Sequence, residues 1–318
     1  MKRKLILLLC VVLCLTALFS FSACGESACA HDYQSVGDAG YFEKDGKVYI
    51  ASEKCSLCGE NKVVDGARVV QKHEDSYTAI VEAGDNAFLF LKNNNFIDMP
   101  IYPTAKNLYL CFEKGSHARK VTIDGEVENL TIDGLLIRNG LAIISQANGI
   151  TVKNCSFTGS SQISNSDVLV KNFSLINCQF VGISSGGKLT AVRVNLCENL
   201  TVKDCTFDTI EYNPLQIGGK SLTGTVIITG NTFKGTGSSV IHLANCHLTD
   251  CDISGNVFYL KDNLSGSNYL NILDDASGIV KFGVNTWEVI PEGTELYFEG
   301  ISSGKVEYNM SEQLLLQE

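Results

Sequence analysis

The chain has 318 residues, of which 45% are hydrophobic and 19% are charged, with 29 glycines and only 4 prolines. This composition excludes an intrinsically disordered or membrane-embedded protein and leaves room for one large domain or two small ones. Because 35 acidic residues outweigh 25 basic ones, for a net charge of −10, bulk attraction to nucleic acid or another polyanion is also excluded. Neutral sugars remain possible partners.

Residues 1–23 have the layout of an export signal. A basic start, "MKRK", precedes an apolar run that is short for a membrane span, and small residues close the segment. A single N-terminal anchor helix is the alternative. The exit "FSAC" resembles a bacterial lipobox, although Phe21 stands where leucine is usual. The resemblance implies that Cys24 is lipidated and that the protein is exported to the cell surface and anchored to the bacterial membrane. Cleavage at "ACA" (28–30) would instead give a secreted protein.

The second segment, residues 24–62, contains Cys29 and His31 followed by Cys55 and Cys58. Two thiolates at this spacing can face one ion, and three sulfurs with one imidazole form a closed tetrahedral set suited to structural Zn²⁺. The segment also resembles a short ribbon-like "C-x-H…C-x-x-C-G" module of exported bacterial proteins. The alternative is a disulfide from Cys29 to Cys55 or Cys58. Zinc here would stabilise the fold and leave no open position for catalysis.

Residues 63–318 contain a degenerate repeat of 20 to 29 residues. Each copy ends on a large apolar side chain: Ile137, Phe157, Phe180, Phe207, Phe233, Phe258 and Trp287. Two positions earlier stand Leu135, Cys155, Cys178, Cys205, Asn231, Asn256 and Asn285. Three positions earlier stand Gly134, Asn154, Asn177, Asp204, Gly230, Gly255 and, as the exception, Val284. The apolar residues seven and five positions before the aromatic alternate as one face of a strand.

The inward-facing set then shifts by one residue, so one residue of each copy is used for a turn. In six of the seven copies that residue is Gly, Asn or Asp, which tolerate positive φ. Two strands joined at such a corner and repeated at this period predict an all-β solenoid whose coils stack in parallel, about 4.8 Å apart.

The pattern resembles the right-handed parallel β-helix of the pectin-lyase-like superfamily, in which an inward asparagine follows the left-handed turn residue. Asn231, Asn256 and Asn285 occupy that position here, and the resemblance implies that they stack as a ladder. Cysteines at the same position in earlier copies are expected to act as small buried hydrophobes. Residues 76–134 are expected to form the first coils and a cap, and Leu314–Leu316 a lid over the other end.

A second strand in each coil carries a polar residue between inward apolar ones. In register, these polar residues are Arg193, Gln216, His242 and Asn271. They predict a polar ladder on one outer face, the face on which the resembled superfamily binds extended polysaccharides. Tyr212, Asn213 and Tyr269, from flanking turns, would border a groove on that face, and the two tyrosines would stack on sugar rings.

Catalysis at this face has weak support in the sequence. Asp208 and Glu211 are the only nearby carboxyl pair for hydrolysis, and both are expected on a turn. Arg193 and His242 are the candidates for β-elimination, but they are two coils apart. The clustered aspartates of polygalacturonases and the Arg-x-Pro-x-x-Arg of pectate lyases are absent. The sequence therefore favours contact with a polysaccharide or another extended polymer without cleavage. A lyase or glycoside hydrolase, and a structural or adhesive stalk, are the alternatives.

Overall fold

A computed structural model describes most of the chain from Tyr33 onward. The described residues are 33–44, 47–57, 59, 61–64, 67–71, 74–92, 95–103, 105–164, 167–184, 189–236, 239–244, 246–259, 270–272, 278–288, 296–298, 306–308 and 310–317. Cys24, Cys29, His31, Cys58 and Tyr269 lie outside them.

Nearly all of the regular structure is β-strand. The strands are β1 (Tyr33–Lys44), β2 (Lys47–Cys55), β3 (Asn61–Val64), β4 (Ala67–Val70), β5 (Phe88–Leu91), β6 (Asn95–Ile101), β7 (Leu108–Phe112), β8 (His117–Ile123), β9 (Val127–Asp133), β10 (Leu136–Ile137), β11 (Leu141–Ile143), β12 (Ala147–Lys153), β13 (Ser156–Phe157), β14 (Ser161–Ile163), β15 (Val170–Ile176), β16 (Gln179–Ile183), β17 (Val192–Lys203), β18 (Thr206–Ile210), β19 (Leu215–Thr229), β20 (Thr232–Thr236), β21 (Ile241–Leu243), β22 (Cys246–Ser254), β23 (Val257–Tyr259), β24 (Leu270–Ile272), β25 (Val280–Phe282), β26 (Thr286–Trp287), β27 (Leu296–Phe298), β28 (Val306–Tyr308) and β29 (Leu314–Leu315). One short α-helix, α1 (Ser76–Val81), and a 3₁₀ turn (Met310–Glu312) complete the description.

The chain divides into two compact units, one comprising Met1–Val36 with Gly40–Asp65 and the other Gly37–Ala39 with Gly66–Glu318. In the first unit, β1, β2 and β3 form an antiparallel sheet in the order β1-β2-β3, with an irregularity in β1 between Ser35 and Gly40. The second unit holds the repeats.

The second unit is a parallel β-solenoid of the right-handed type, which confirms the predicted all-β fold class. Its strands form three parallel stacks. The first stack runs through β4, β5, β7, β9, β12, β15, the later parts of β17 and β19, and β22, β25 and β28. The second runs through the starts of β6 and β8, then β10, β13, β16, β18, β20, β23, β26 and β29. The third runs through the ends of β6 and β8, then β11, β14, the starts of β17 and β19, and β21, β24 and β27.

The predicted aromatic column fills the core behind the second stack. Phe157, Phe180, Phe207, Phe233, Phe258 and Trp287 are all buried, one in each successive coil. Neighbouring ring centroids are 4.5, 4.8, 5.1, 5.2 and 4.3 Å apart, and their planes are within 16° of parallel. This stacking fixes the register of the coils, because a shift by one residue would turn every ring to the outer face.

The corner between the first and second stacks uses the predicted left-handed residues. Their φ angles are positive: Gly134 83°, Asn154 52°, Asn177 51°, Asp204 54°, Gly230 69° and Gly255 66°. Val284 is the exception in the structure as in the sequence, since it does not adopt positive φ and its side chain is 41% exposed.

Inside this corner the asparagines form a hydrogen-bonded ladder. The side-chain oxygen of Asn256 accepts from the backbone N–H of Asn231 at 2.9 Å, and that of Asn285 accepts from the backbone N–H of Asn256 at 2.9 Å. The cysteines do more than fill space as hydrophobes. The sulfur of Cys205 accepts from the backbone N–H of Cys178 at 3.4 Å, so cysteine satisfies the same buried donor through a weaker bond.

A second asparagine ladder, which the sequence did not reveal, lies on the outside of the first stack. Asn107 donates to Asn86 and Asn129 donates to Asn107, each at 2.8 Å. Further along, Asn172 donates to Asn148 and Asn199 donates to Asn172, at 2.7 and 2.9 Å. Most of these asparagines have positive φ, which suits a side chain that bonds locally in a left-handed turn.

The two ends of the solenoid differ from expectation. Helix α1 interrupts the first coils and buries Ala79 and Ile80 in the core, whereas the sequence suggested only strands and turns there. At the other end, the predicted leucine lid is wrong. Leu314 and Leu315 form strand β29, pair with β26, and are 55% and 59% exposed. Buried Gln313 instead ends the ladder, since its side-chain oxygen accepts from the backbone N–H of Asn285 at 3.1 Å and also from the indole N–H of Trp287 at 3.0 Å.

Candidate functional site

The predicted polar residues do fall into one register on the third stack. Arg193 pairs with Gln216, Gln216 with His242, and His242 with Asn271. The same register extends further than the sequence suggested. We define the polar column as Gln162, Arg193, Gln216, His242, Asn271 and Tyr297. Gln162 and Tyr297 were missed because "SQISN" and "ELYFEG" lie outside the copies that were aligned on the second strand.

Strand alternation turns the column outward. Val192 and Val194 flank Arg193, and both are buried. Buried leucine and isoleucine likewise flank Gln216 and His242. Gln162 and Arg193 are therefore exposed, while Gln216 and His242 are half-buried. Asn271 and Tyr297 are placed by their backbone register alone, since their side chains lie outside the described part.

Hydrogen bonds within the column orient two of its side chains. Arg193 Nε donates to Gln216 Oε1 at 3.2 Å, and the hydroxyl of Thr190 donates to the same oxygen at 3.3 Å. Because the glutamine oxygen is occupied, its amide N–H groups point away from Arg193 and Thr190. An arginine has five N–H donors, so four remain on Arg193 after this bond. The column therefore offers donors that suit hydroxyl or carboxylate oxygens of a ligand.

The corner that leads into the third stack is held by backbone hydrogen bonds between successive coils. Ser161 N donates to Ala191 O at 2.8 Å, and Ala191 N donates to Asn213 O at 3.0 Å. Asn213, which the sequence placed on the rim of a groove, is only 3% exposed. That placement is wrong: Asn213 belongs to the buried frame of the corner, and its side chain does not border an open groove.

The candidate carboxyl pair is not part of the polar column. Asp208 lies within β18 on the second stack, where it pairs with Val181 and Lys234, so its expected position on a turn is wrong. Glu211 and Tyr212 follow β18 in the connection to the third stack, and both are half-buried. None of the six residues that define the polar column is an aspartate or a glutamate. Hydrolysis of a glycosidic bond needs two carboxyl groups across the bond, and the column supplies neither.

Of the four predicted metal ligands, Cys55 is the one that the structure describes. Cys55 ends β2 and is buried, and its carbonyl accepts from Gly59 N at 2.9 Å, in keeping with a tight turn after this cysteine. Cys29, His31 and Cys58 lie outside the described residues, as do the lipidation candidate Cys24 and the predicted contact residue Tyr269. Across the described ranges, no cluster of three or more His, Cys, Asp or Glu residues could hold a metal ion.

Three buried cysteines do not form a reactive site: Cys155 and Cys178 of the inner corner, and Cys197 of the first stack. Burial raises the pKa of the Cys155 and Cys178 thiols well above the usual 9.0, and it raises that of Cys197 to about 12. Only a thiolate is an effective nucleophile or metal ligand. These sulfurs therefore remain protonated and act in packing and weak hydrogen bonding.

No protein-family model, no curated protein and no solved structure matches this chain. Of the helices that the structure describes, none has the length and apolar character needed to cross a bilayer.

Proposed function

We propose that the protein is an exported, surface-anchored β-helix of the pectin-lyase-like type. In this proposal it contacts a polysaccharide, or another extended polymer, along the polar column without cleaving it. The observation that carries the proposal is the register of the column. Successive coils place donor-bearing side chains at intervals of about 4.8 Å along one face. A linear polymer lying across the coils would meet one such side chain on each coil.

The make-up of the column favours binding over cleavage. Arg193 Nε donates a hydrogen bond to Gln216, and the remaining N–H groups of both side chains can donate to a hydroxyl or carboxylate oxygen. The column supplies no carboxyl pair for hydrolysis, and its candidates for elimination, Arg193 and His242, are separated by the coil that carries Gln216. Tyr212 and Tyr269 remain proposed stacking residues at the margin of the face.

The test is a panel of soluble polysaccharides, scored both for binding and for new reducing ends or unsaturated products. We expect binding of at least one polymer and no products. Arg193→Ala should weaken that binding about tenfold, since it removes a charged donor. Lys203→Ala serves as the control, because it removes an exposed cation from the first stack.

The possible outcomes separate the alternatives. Product formation that Arg193→Ala or His242→Ala abolishes would replace the proposal with a lyase or hydrolase. Failure to bind any polymer would favour a structural or adhesive stalk. Equal weakening by Arg193→Ala and Lys203→Ala would show that the polar column is not the contact face.

The anchoring and zinc parts of the proposal are tested separately. If Cys24 is lipidated, the mature N-terminal peptide carries acyl chains and Cys24→Ala releases the protein from the membrane. If Cys29, His31, Cys55 and Cys58 bind Zn²⁺, the purified protein contains one equivalent of zinc, and Cys58→Ser loses it. Mass analysis that shows a disulfide among these cysteines would contradict the zinc site.

A further inference from the structure

A hollow of about 340 Å³ lies on the outer side of the second stack, in the first coils and away from the polar column. We call it the basic hollow. It is lined by Asn95, Phe96, His117, Arg119, Arg138 and Asn139. Its volume is at the lower end of the range for small-ligand sites. No residue of the lining is a carboxylate, although the chain as a whole is acidic.

The stacking of coils brings the two arginines together. Ala118 pairs with Ile137, so the residues that follow them, Arg119 and Arg138, occupy equivalent outward positions on neighbouring coils. Arg138 N donates to Ala118 O at 3.0 Å, and Asn139 N donates to Arg119 O at 2.5 Å. The two side chains therefore start about 4.8 Å apart, on a backbone that is fixed by these bonds.

Arg119 is oriented by a carboxylate from the preceding coil. Its Nε and Nη2 donate to the two oxygens of Asp98 at 3.1 and 2.5 Å, a bidentate pair. The same contact lowers the pKa of Asp98, so the pair is ionised at neutral pH. Two of the five N–H donors of Arg119 are used, and three remain for a ligand.

Arg138 supplies the charge that is not neutralised. In the part of the chain that the structure describes, its guanidinium has no carboxylate partner, and the His117 ring has no side-chain partner. Asn95 and Asn139 add amide N–H groups, and Phe96 adds an apolar wall that packs edge-on against Phe112. The hollow is thus rich in donors and carries a net positive charge.

We propose that the basic hollow binds an oxyanion, namely a sulfate or carboxylate group, with Arg138 as the principal contact and Arg119 as a second donor held in place by Asp98. Planar guanidinium groups match such anions through paired hydrogen bonds. The site lies on a different stack from the polar column and does not depend on the function proposed for that column.

The test is calorimetric titration of the purified protein with sodium sulfate at constant ionic strength. A second arm uses dextran sulfate with neutral dextran as its control, to separate a free ion from a group carried on a polymer. Arg138→Ala should weaken sulfate binding about tenfold or more, because it removes a charged bidentate contact. The sulfate affinity of Arg138→Lys should lie between those of the wild-type protein and Arg138→Ala, since lysine keeps the charge but loses the paired hydrogen bonds.

Lys234→Ala is the matched control, because it removes a cation from the same outward column of the second stack, four coils away. We expect it to leave sulfate affinity within about twofold of wild type. As a readout that needs no variant, the Nε–H resonances of Arg119 and Arg138 should shift on titration while that of Arg193 does not. Equal effects of Arg138→Ala and Lys234→Ala, or no sulfate binding by the wild-type protein, would overturn the proposal.

Discussion

Replacing Asn256 by alanine tests the inner ladder at a position where it is fully formed. The oxygen of Asn256 accepts from the backbone N–H of Asn231 at 2.9 Å, and its amide nitrogen donates to the carbonyl of Ile228 at 2.9 Å. Asn256 is completely buried. Alanine would leave both backbone groups without partners and without water, at a cost of about 1–3 kcal/mol each. We expect Asn256→Ala to lower the free energy of unfolding by about 4 kcal/mol.

Two further variants make the result specific. Asn256→Cys should cost only about 2 kcal/mol, because the sulfur of Cys205 already accepts from the backbone of Cys178 in an earlier coil. Asn148→Ala removes a hydrogen bond from the exposed outer ladder, where water replaces it, and should cost less than about 1 kcal/mol.

The assay for all three is urea unfolding, followed by circular dichroism and by the fluorescence of Trp287, the sole tryptophan, which stacks on Phe258. If Asn256→Ala and Asn148→Ala cost the same, the inner ladder does not stabilise the fold as we argue.

The remaining predictions concern the thiols and one glycine. Buried Cys155, Cys178 and Cys197 should not react with an aromatic disulfide reagent until the protein unfolds; rapid reaction of the native protein would contradict their raised pKa values. Between about pH 9 and about pH 12 the unfolded chain loses the Cys197 proton while the folded state keeps it, so stability should fall over this range, and less steeply in Cys197→Ala. Gly140→Ala, with φ of 87° and a backbone oxygen 1.8 Å from the new Cβ, should cost about 4 kcal/mol in thermal or urea unfolding. Gly115→Ala, with φ of 90° in open space, should cost about 1 kcal/mol, and equal losses would refute the steric argument.

The solenoid was predictable because each repeat carries its own turn residue and its own core aromatic residue. The switch of inward parity at Asn154, Asn177 and Asp204 identified the corner, and the aromatic residues three positions later identified the stacked core. These features depend on neighbours in sequence and on the same features of the next coil. Once the repeat length was known, the register of Arg193 with Gln216 followed from alternation.

Features that depend on one particular coil were not predictable in this way. The sequence predicted that Leu314 and Leu315 form a lid. In the structure Gln313 ends the ladder, and both leucines are exposed. Asp208 was predicted to lie on a turn after Phe207, yet β18 continues through Asp208 to Ile210. The basic hollow escaped notice because Arg119 and Arg138 lie in the irregular first coils, where the repeat pattern is weakest.

The most direct test of the account is an alanine scan of the polar column against a polymer that the protein binds. Gln162→Ala, Arg193→Ala, Gln216→Ala and His242→Ala should each weaken binding, with the largest loss at Arg193. Thr158→Ala and Lys234→Ala, which lie on the outer side of the second stack, should have no effect. Losses confined to the column, with no products formed, are the predicted result. Losses scattered over both stacks, or absent from the column, would contradict the proposed contact face.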